Sequence, residues 1–385
     1  MALVLILILL PVVYSKNKAL FSIRGDSLAR WTYIFLSFYV IELIITLIIG
    51  HESLFNSLKV IRVPLFMCSF FILRTIPIKC YQKFLKIALW ITLIQSVLFF
   101  LQFVGIKLIS GERDVSEDAD YYITNTPTLT LLFLFLLWKF ERLGKMRFFL
   151  IAVLMAVVLS TYVRGTIIAV LMGFVYYATF INRKKKRIVT IALLLLIIPL
   201  SLQYINKKTE VTGESHKNLE EIEYVVNQRN NMENISNEGG TFSFRIAMLY
   251  ERIEWLRNNP KYLLTGVGTM HEDSPQTLQM FDFVLGTYNE DRFYGRTIIE
   301  SGDIAWVPIV LRYGLIGVFI HFMMFFLLFN VTRHRKDLLV MLSAYAIVVF
   351  LRTLDGPYFE TPGLVYIHAL LFALVSRANN EKNQC

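Results

Sequence analysis

Runs of apolar residues recur from one end of this chain to the other, and no other feature constrains its fold as strongly. They occupy residues 2–15, 31–50, 60–78, 84–106, 127–140, 148–163, 165–181, 188–205, 304–331, 338–354 and 362–377. A helix needs about 20 apolar residues to cross the ~30 Å hydrocarbon core of a bilayer, and it satisfies its own backbone groups as it does so. The pattern predicts an all-α polytopic membrane protein with about eleven transmembrane helices. Composition agrees. Of the 385 residues, 56% are hydrophobic and 18% charged, against about 45–50% and about 25% in soluble domains. The opening MALVLILILLPVVYSKNK has no positive charge before its apolar run and no small-residue cleavage site after it, so it reads as a first membrane helix. Cys68, Cys80 and Cys385 show neither disulfide nor metal spacing. No HExxH or GxSxG pattern occurs, and neither a metal nor a cofactor is expected.

The connecting segments set the orientation. Lys16, Lys18, Arg24 and Arg30 precede the second run, Lys79, Lys83 and Lys86 the fourth, and Lys139, Arg142, Lys145 and Arg147 the sixth. NRKKKR at 182–187, RHRK at 333–336, and Arg377 with Lys382 complete the series. Between them lie HESLFNSLK, which is nearly neutral, the acidic SGERDVSEDAD, the YVRG turn, a long segment at 206–303, and DGPYFETP. Every second loop is basic, and basic loops stay in the cytoplasm. The expected topology puts the N-terminus and the 206–303 loop outside and the C-terminus inside. The formal charge of +10 follows from those cytoplasmic loops, and nucleic acid is not an expected partner. The expected domains are membrane helices at 1–205, one large external loop at 206–303, and membrane helices with a short tail at 304–385.

One charge interrupts the longest apolar stretch. Arg164 sits within residues 148–181, where a mid-bilayer arginine costs about 2.5–3.5 kcal/mol on insertion scales. The alternation of loops instead splits that stretch into two helices and places Arg164 in a tight external turn. There it is either an interfacial arginine that snorkels to the headgroups or a cation facing an outward cavity, with Gly165 permitting close approach. The long loop is polar up to Gly240, then changes character. TFSFRIAMLYERIEWLRNNP has apolar residues at Phe244, Met248, Ile253 and Trp255–Leu256, spaced for an amphipathic helix that NNP ends. Arg245 and Arg252, seven apart, share a face of that helix; Arg257 follows, and Glu251 and Glu254 lie nearby. Next comes GVG, Gly266–Gly268, which alone is too short for a phosphate loop, then His271. Asp303 precedes the next apolar run as an N-cap or a functional carboxylate. Arg312 within that run is interfacial, or faces the cavity if residues 304–312 form a short re-entrant helix. Arg352 closes a further run on the outer side. The loop carries ten Lys/Arg and sixteen Asp/Glu, so an anion site there depends on placement and not on net charge.

In order, these motifs form a pattern: an SxxxRG-like turn between two membrane helices (Ser160 to Gly165), then R-x(9)-W-x(4)-P and GVG in a long loop (Arg245, Trp255, Pro260, Gly266, Gly268), then D-x(10)-GLIG (Asp303, Gly314–Gly317). This resembles the O-antigen polymerase and O-antigen ligase superfamily, the Wzy and WaaL type of membrane glycosyltransferase, over roughly residues 125–335. The resemblance implies a GT-C-like helical fold in the bacterial cytoplasmic membrane. It implies a metal-independent transferase that uses polyprenyl-pyrophosphate-linked oligosaccharide at the outer face, among membrane lipids. Arg164 and Arg245 are then expected to hold the pyrophosphate and stabilise its leaving charge. Arg257, Gly266, Gly268, His271, Arg312 and Arg352 are candidate substrate-binding residues. Ligases of this superfamily place a histidine where this chain has Asp303, which looks more like the repeat-unit polymerases. Asp303 is then a candidate base for the acceptor hydroxyl. The implied function is elongation of O-antigen, capsule or exopolysaccharide, with a chain-length regulator protein as a further partner. A glycan ligase is the alternative. A transporter of lipid-linked glycan is the second, and it would place charges along several helices and show internal repeats.

Overall fold

A computed structural model describes residues 2–21, 25–50, 52–102, 106, 127–160, 164–180, 241–272, 274–281, 283, 299, 304–333, 335, 338–354, 356 and 358–382. Among these the secondary structure is helical, without strands. The helices are α1 (Ala2–Lys16), α2 (Ser27–Ile49), α3 (Leu54–Ile61), α4 (Ser69–Arg74), α5 (Ile78–Gln102), α6 (Pro127–Leu137), α7 (Met146–Ser160), α8 (Arg164–Phe180), α9 (Thr241–Asn258), α10 (Pro275–Met280), α11 (Trp306–Thr332), α12 (Val340–Arg352) and α13 (Pro362–Lys382). Every apolar run except 188–205, which lies outside the described residues, coincides with helix. Three helices, α2, α5 and α11, are individually long and apolar enough to cross a bilayer, and α3 with Pro64–Arg74 makes a further bent span. Shorter apolar helices are α1, α6, α7, α8 and α12.

These helices are inside-out by the standard of a soluble protein. On α2 the polar Thr32, Glu42 and Thr46 are buried, while Ile34, Ile41, Ile44 and Ile48 are exposed. On α5 Thr92, Ser96 and Gln102 turn inward, and Ile87, Trp90, Ile91 and Ile94 outward. Lipid is as apolar as the side chains it meets, so polar groups go to the protein interior.

Two expectations change. The run at 60–78 is not one helix. HESLFNSLK, expected as a loop, contributes most of α3, which Ser53 caps through its hydroxyl on the Asn56 amide. Pro64 has no N–H to continue the ladder, so a 3-10 turn (Pro64–Cys68) follows and the chain bends by 56° before α4. The lysines at 79, 83 and 86, expected before a helix, lie in the first turns of α5. The split of 148–181 holds: α7 ends at Ser160 and α8 begins at Arg164.

Contacts divide the chain into two compact units. One comprises Arg74–Lys207, Phe325–Arg352 and Leu374–Cys385. In it α6 is buried along Leu131–Leu137, and Gly173 lets α8 approach closely. A Cβ there would lie 2.6 Å from Val348 Cγ2 and 2.7 Å from Phe135 Cζ, the small-residue packing of membrane helices. The other unit comprises Met1–Leu73, Lys208–Met324 and Thr353–Ala373, and it holds the site. Its loop segment has a small core of its own, Val267, Met270, Phe281, Phe283 and Ile299, closed by Leu311 of α11. Arg252 is buried beside this core, paired with Glu251 at 2.5 Å and 4.2 Å from the Phe283 ring centroid. Burial lowers its pKa to about 10 against the opposing pull of Glu251 and Glu272, so it stays charged.

Candidate functional site

The site grows out of one glycine. At Gly314 α11 leaves helical geometry, with φ 56° and ψ −155°. In an unbroken helix Leu315 and Ile316 would donate to the carbonyls of Leu311 and Arg312. The break strands those donors and acceptors, and buried backbone groups require partners. The segment 263–268 provides them. Val267 N donates to Leu311 O at 3.0 Å and Gly268 N to Arg312 O at 2.8 Å. Leu315 N and Ile316 N donate to the carbonyls of Leu263 and Leu264, each at 3.0 Å. GVG and the first glycine of GLIG, far apart in the chain, are two halves of one backbone-to-backbone contact. A Cβ on Gly266 would stand 2.3 Å from Arg312 C, and one on Gly314 2.6 Å from Leu264 C.

This strap fixes Arg312 in the wall of a cavity. The side chain is buried, and its Nε donates to Met270 O at 3.0 Å, which sets the plane of the guanidinium. The cavity, of about 130 Å³, is lined by Tyr39, Lys59, Arg62, Arg312, Tyr313 and Glu360 among others. Its charged lining is therefore three cations and one carboxylate, an arrangement suited to an anion with several oxygens. Below Arg312 an aromatic cluster stiffens the floor. Tyr39 stacks edge-on to Tyr313 and hydrogen-bonds His321 Nε2 at 2.7 Å, while His321 Nδ1 meets the Gly317 carbonyl at 2.7 Å. A carbonyl can only accept, so Nδ1 carries the proton and Nε2 accepts from the Tyr39 hydroxyl.

The far end of the strap is tied to α2 and α3. Thr269 N donates to Thr46 Oγ1 at 2.9 Å, and His271 N to Glu52 Oε2 at 3.1 Å. Glu52 Oε1 accepts from Ser53 N at 2.8 Å and Asn56 Nδ2 at 3.0 Å. Burial alone would raise the Glu52 pKa, but these donors outweigh it and hold the carboxyl below its ordinary value. A depressed folded-state pKa gives stability that is present above the unfolded value, near 4.3, and lost as pH falls through the folded one. Glu52→Gln should therefore lower stability at neutral pH and flatten the acid limb below about pH 4, read as unfolding midpoint against pH.

The sequence-predicted residues fall into distinct places. Gly266, Gly268 and Arg312 come together at the Gly314 break. His271 is anchored beside them through its backbone. Arg245 is half-buried on α9, and Arg257 is exposed and pairs with Glu254 at 3.4 Å, a solvated pair. Arg164, the first residue of α8, and Arg352, the last of α12, belong to the other unit. Asp303 lies outside the described residues. Sequence reasoning did not single out Lys59, Arg62 or His321. Among the described residues no cluster of three or more His, Cys, Asp or Glu side chains could hold a metal ion.

Residues 148–321 match a family described as O-antigen ligase. The match supports the O-antigen ligase and polymerase superfamily for this stretch. The match begins in α7 and ends at His321, so it takes in Arg164, Arg245, the strap, Arg312 and the helix break. Members of the superfamily are ligases or glycosyltransferase-like enzymes acting on lipid-linked glycans. No curated protein matches the chain.

Proposed function

We propose that this protein is a polysaccharide repeat-unit polymerase. It moves a glycan from polyprenyl pyrophosphate onto the next lipid-linked repeat at the outer face of the cytoplasmic membrane. The observation that carries the reading is the cavity at the Gly314 break, with Arg312, Lys59 and Arg62 in its lining. Pyrophosphate is the leaving group of such a transfer, and preorganised cations stabilise the charge that develops on it. Arg164 and Arg245, both within the superfamily match, are further candidate pyrophosphate ligands, and Asp303 orients or deprotonates the acceptor hydroxyl. The charge alternation supports the eleven-span topology with the long loop outside. The bond of His271 to Glu52 and the shared cavity lining of Lys59 and Glu360, within one unit, are consistent with it.

Asp303, where ligases carry histidine, favours polymerase over ligase. The other histidine near the site, His321, has both ring nitrogens in internal hydrogen bonds. The test is deletion of the gene and analysis of lipid-linked glycans by mass spectrometry. A polymerase leaves single repeats on the carrier and short surface chains. Accumulation of long chains on the carrier would instead establish a ligase, the reading that the family description favours.

A further inference from the structure

A second cavity, of about 280 Å³, adjoins the first across the strap. It is lined by Glu42, Ile45, Thr46, Ile49, Lys261, Tyr262, Thr265 and the Gly266–Gly268 backbone. The two are close neighbours: Gly268, in this wall, donates to the carbonyl of Arg312, in the other. Tyr39 and Glu42 are one turn apart on α2 and line one cavity each. Their chemistry differs. The first gathers cations. The second offers one buried carboxylate, one lysine, two threonines, main-chain groups and a tyrosine ring held flat against Trp255, with centroids 5.5 Å apart.

Glu42 is the unexplained group. It is 4% exposed on an apolar helix, and among the described residues no donor reaches its carboxylate. A carboxylate at membrane depth is costly, and such residues are kept for use. An unpartnered buried acceptor facing a cavity asks for a ligand rich in donors. Benzene fills a cavity of about 150 Å³, so this one has room for a sugar ring with its hydroxyls. A neutral glycan suits this lining: hydroxyls for Glu42 and Thr265 and a ring face for Tyr262, while the exposed Lys261 offsets the one carboxylate.

We propose that this cavity is the acceptor-saccharide subsite, in which Glu42 accepts a hydrogen bond from a sugar hydroxyl and Thr265 and Tyr262 hold the ring. Glu42 is a positioning residue. It seats the acceptor across the strap from the pyrophosphate. The inference rests on the glycan-transfer reading above.

The test uses the purified full chain in detergent and the repeat-unit oligosaccharide freed from its carrier by mild acid. Titration calorimetry should show binding to wild type, weakened about tenfold or more by Glu42→Gln, which keeps the shape and removes the charge. Glu42→Asp should recover part of that loss, and the exposed Thr265→Val should weaken binding severalfold. Binding of polyprenyl pyrophosphate should be unchanged in all three, which a merely structural defect would not allow. If Glu42→Gln binds the oligosaccharide as wild type does while wild type still extends lipid-linked repeats, the subsite is wrong and the enzyme reading stands. If wild type extends no repeats, the proposed function falls and the subsite with it.

Discussion

Gly266→Val should unseat the strap and with it the site. Valine at φ +68° adopts a left-handed conformation that costs an L-residue about 1–2 kcal/mol. Its Cβ would also stand 2.3 Å from Arg312 C and 2.4 Å from Arg312 O. Those are backbone atoms, so no rotamer change relieves the clash. The two segments must separate, and the hydrogen bonds that seal the Gly314 break part, each worth roughly 1 kcal/mol net. A loss of about 4 kcal/mol or more is expected, among the largest single-residue effects. It should appear as a fall of about 10 °C in the unfolding midpoint of the purified protein. New protease cleavage between α9 and α10 should accompany it. Gly363→Ala is the control. Nothing lies within 4 Å of a Cβ there, and its effect should stay within about 0.5 kcal/mol. A Gly266→Val protein as stable as the control would contradict the strap contact.

Much of the frame was legible in the sequence because it depends on sums over many residues. The runs place the helices, and the charges divide residues 148–181 at Arg164. Local geometry within an apolar run was less visible. GLIG reads as apolar with two small residues, and hydropathy does not register the positive φ at Gly314 or the partners that the break needs. Those partners lie some fifty residues earlier, and only folding brings GVG to them. Glu42 passed unnoticed for a similar reason, as one carboxylate in a run otherwise apolar enough to span. Lys59 and Arg62 sat in what looked like a neutral loop and the start of a span. Pro64 is what bends the chain after them. Arg252 was read with Arg245 and Arg257 as part of one amphipathic helix, but the three separate by environment. Arg252 is buried in a pair, Arg245 half-buried and Arg257 solvated. Seven-residue spacing fixes a shared face, not what covers it.

Arg312→Ala should be the most damaging change to chemistry that leaves the fold in place. The 263–268 segment bonds the backbone carbonyl of residue 312. Removing the guanidinium leaves those backbone bonds in place and forfeits the Nε bond to Met270 O, about 1 kcal/mol. The catalytic loss is larger. Deleting one preorganised group that stabilises transition-state charge typically costs about 100- to 1,000-fold in kcat. That loss is expected in chain extension of lipid-linked repeats, with weaker binding of polyprenyl pyrophosphate. Arg312→Lys separates charge from geometry. Lysine keeps the positive charge but lacks the planar fork and the Nε donor, so it should restore only a small part of the rate. Recovery to near wild type with lysine would mean that the cavity needs net charge alone. Undiminished extension by Arg312→Ala, with its midpoint unchanged, would move the pyrophosphate away from the Gly314 break. The strap would then serve only to close the helix.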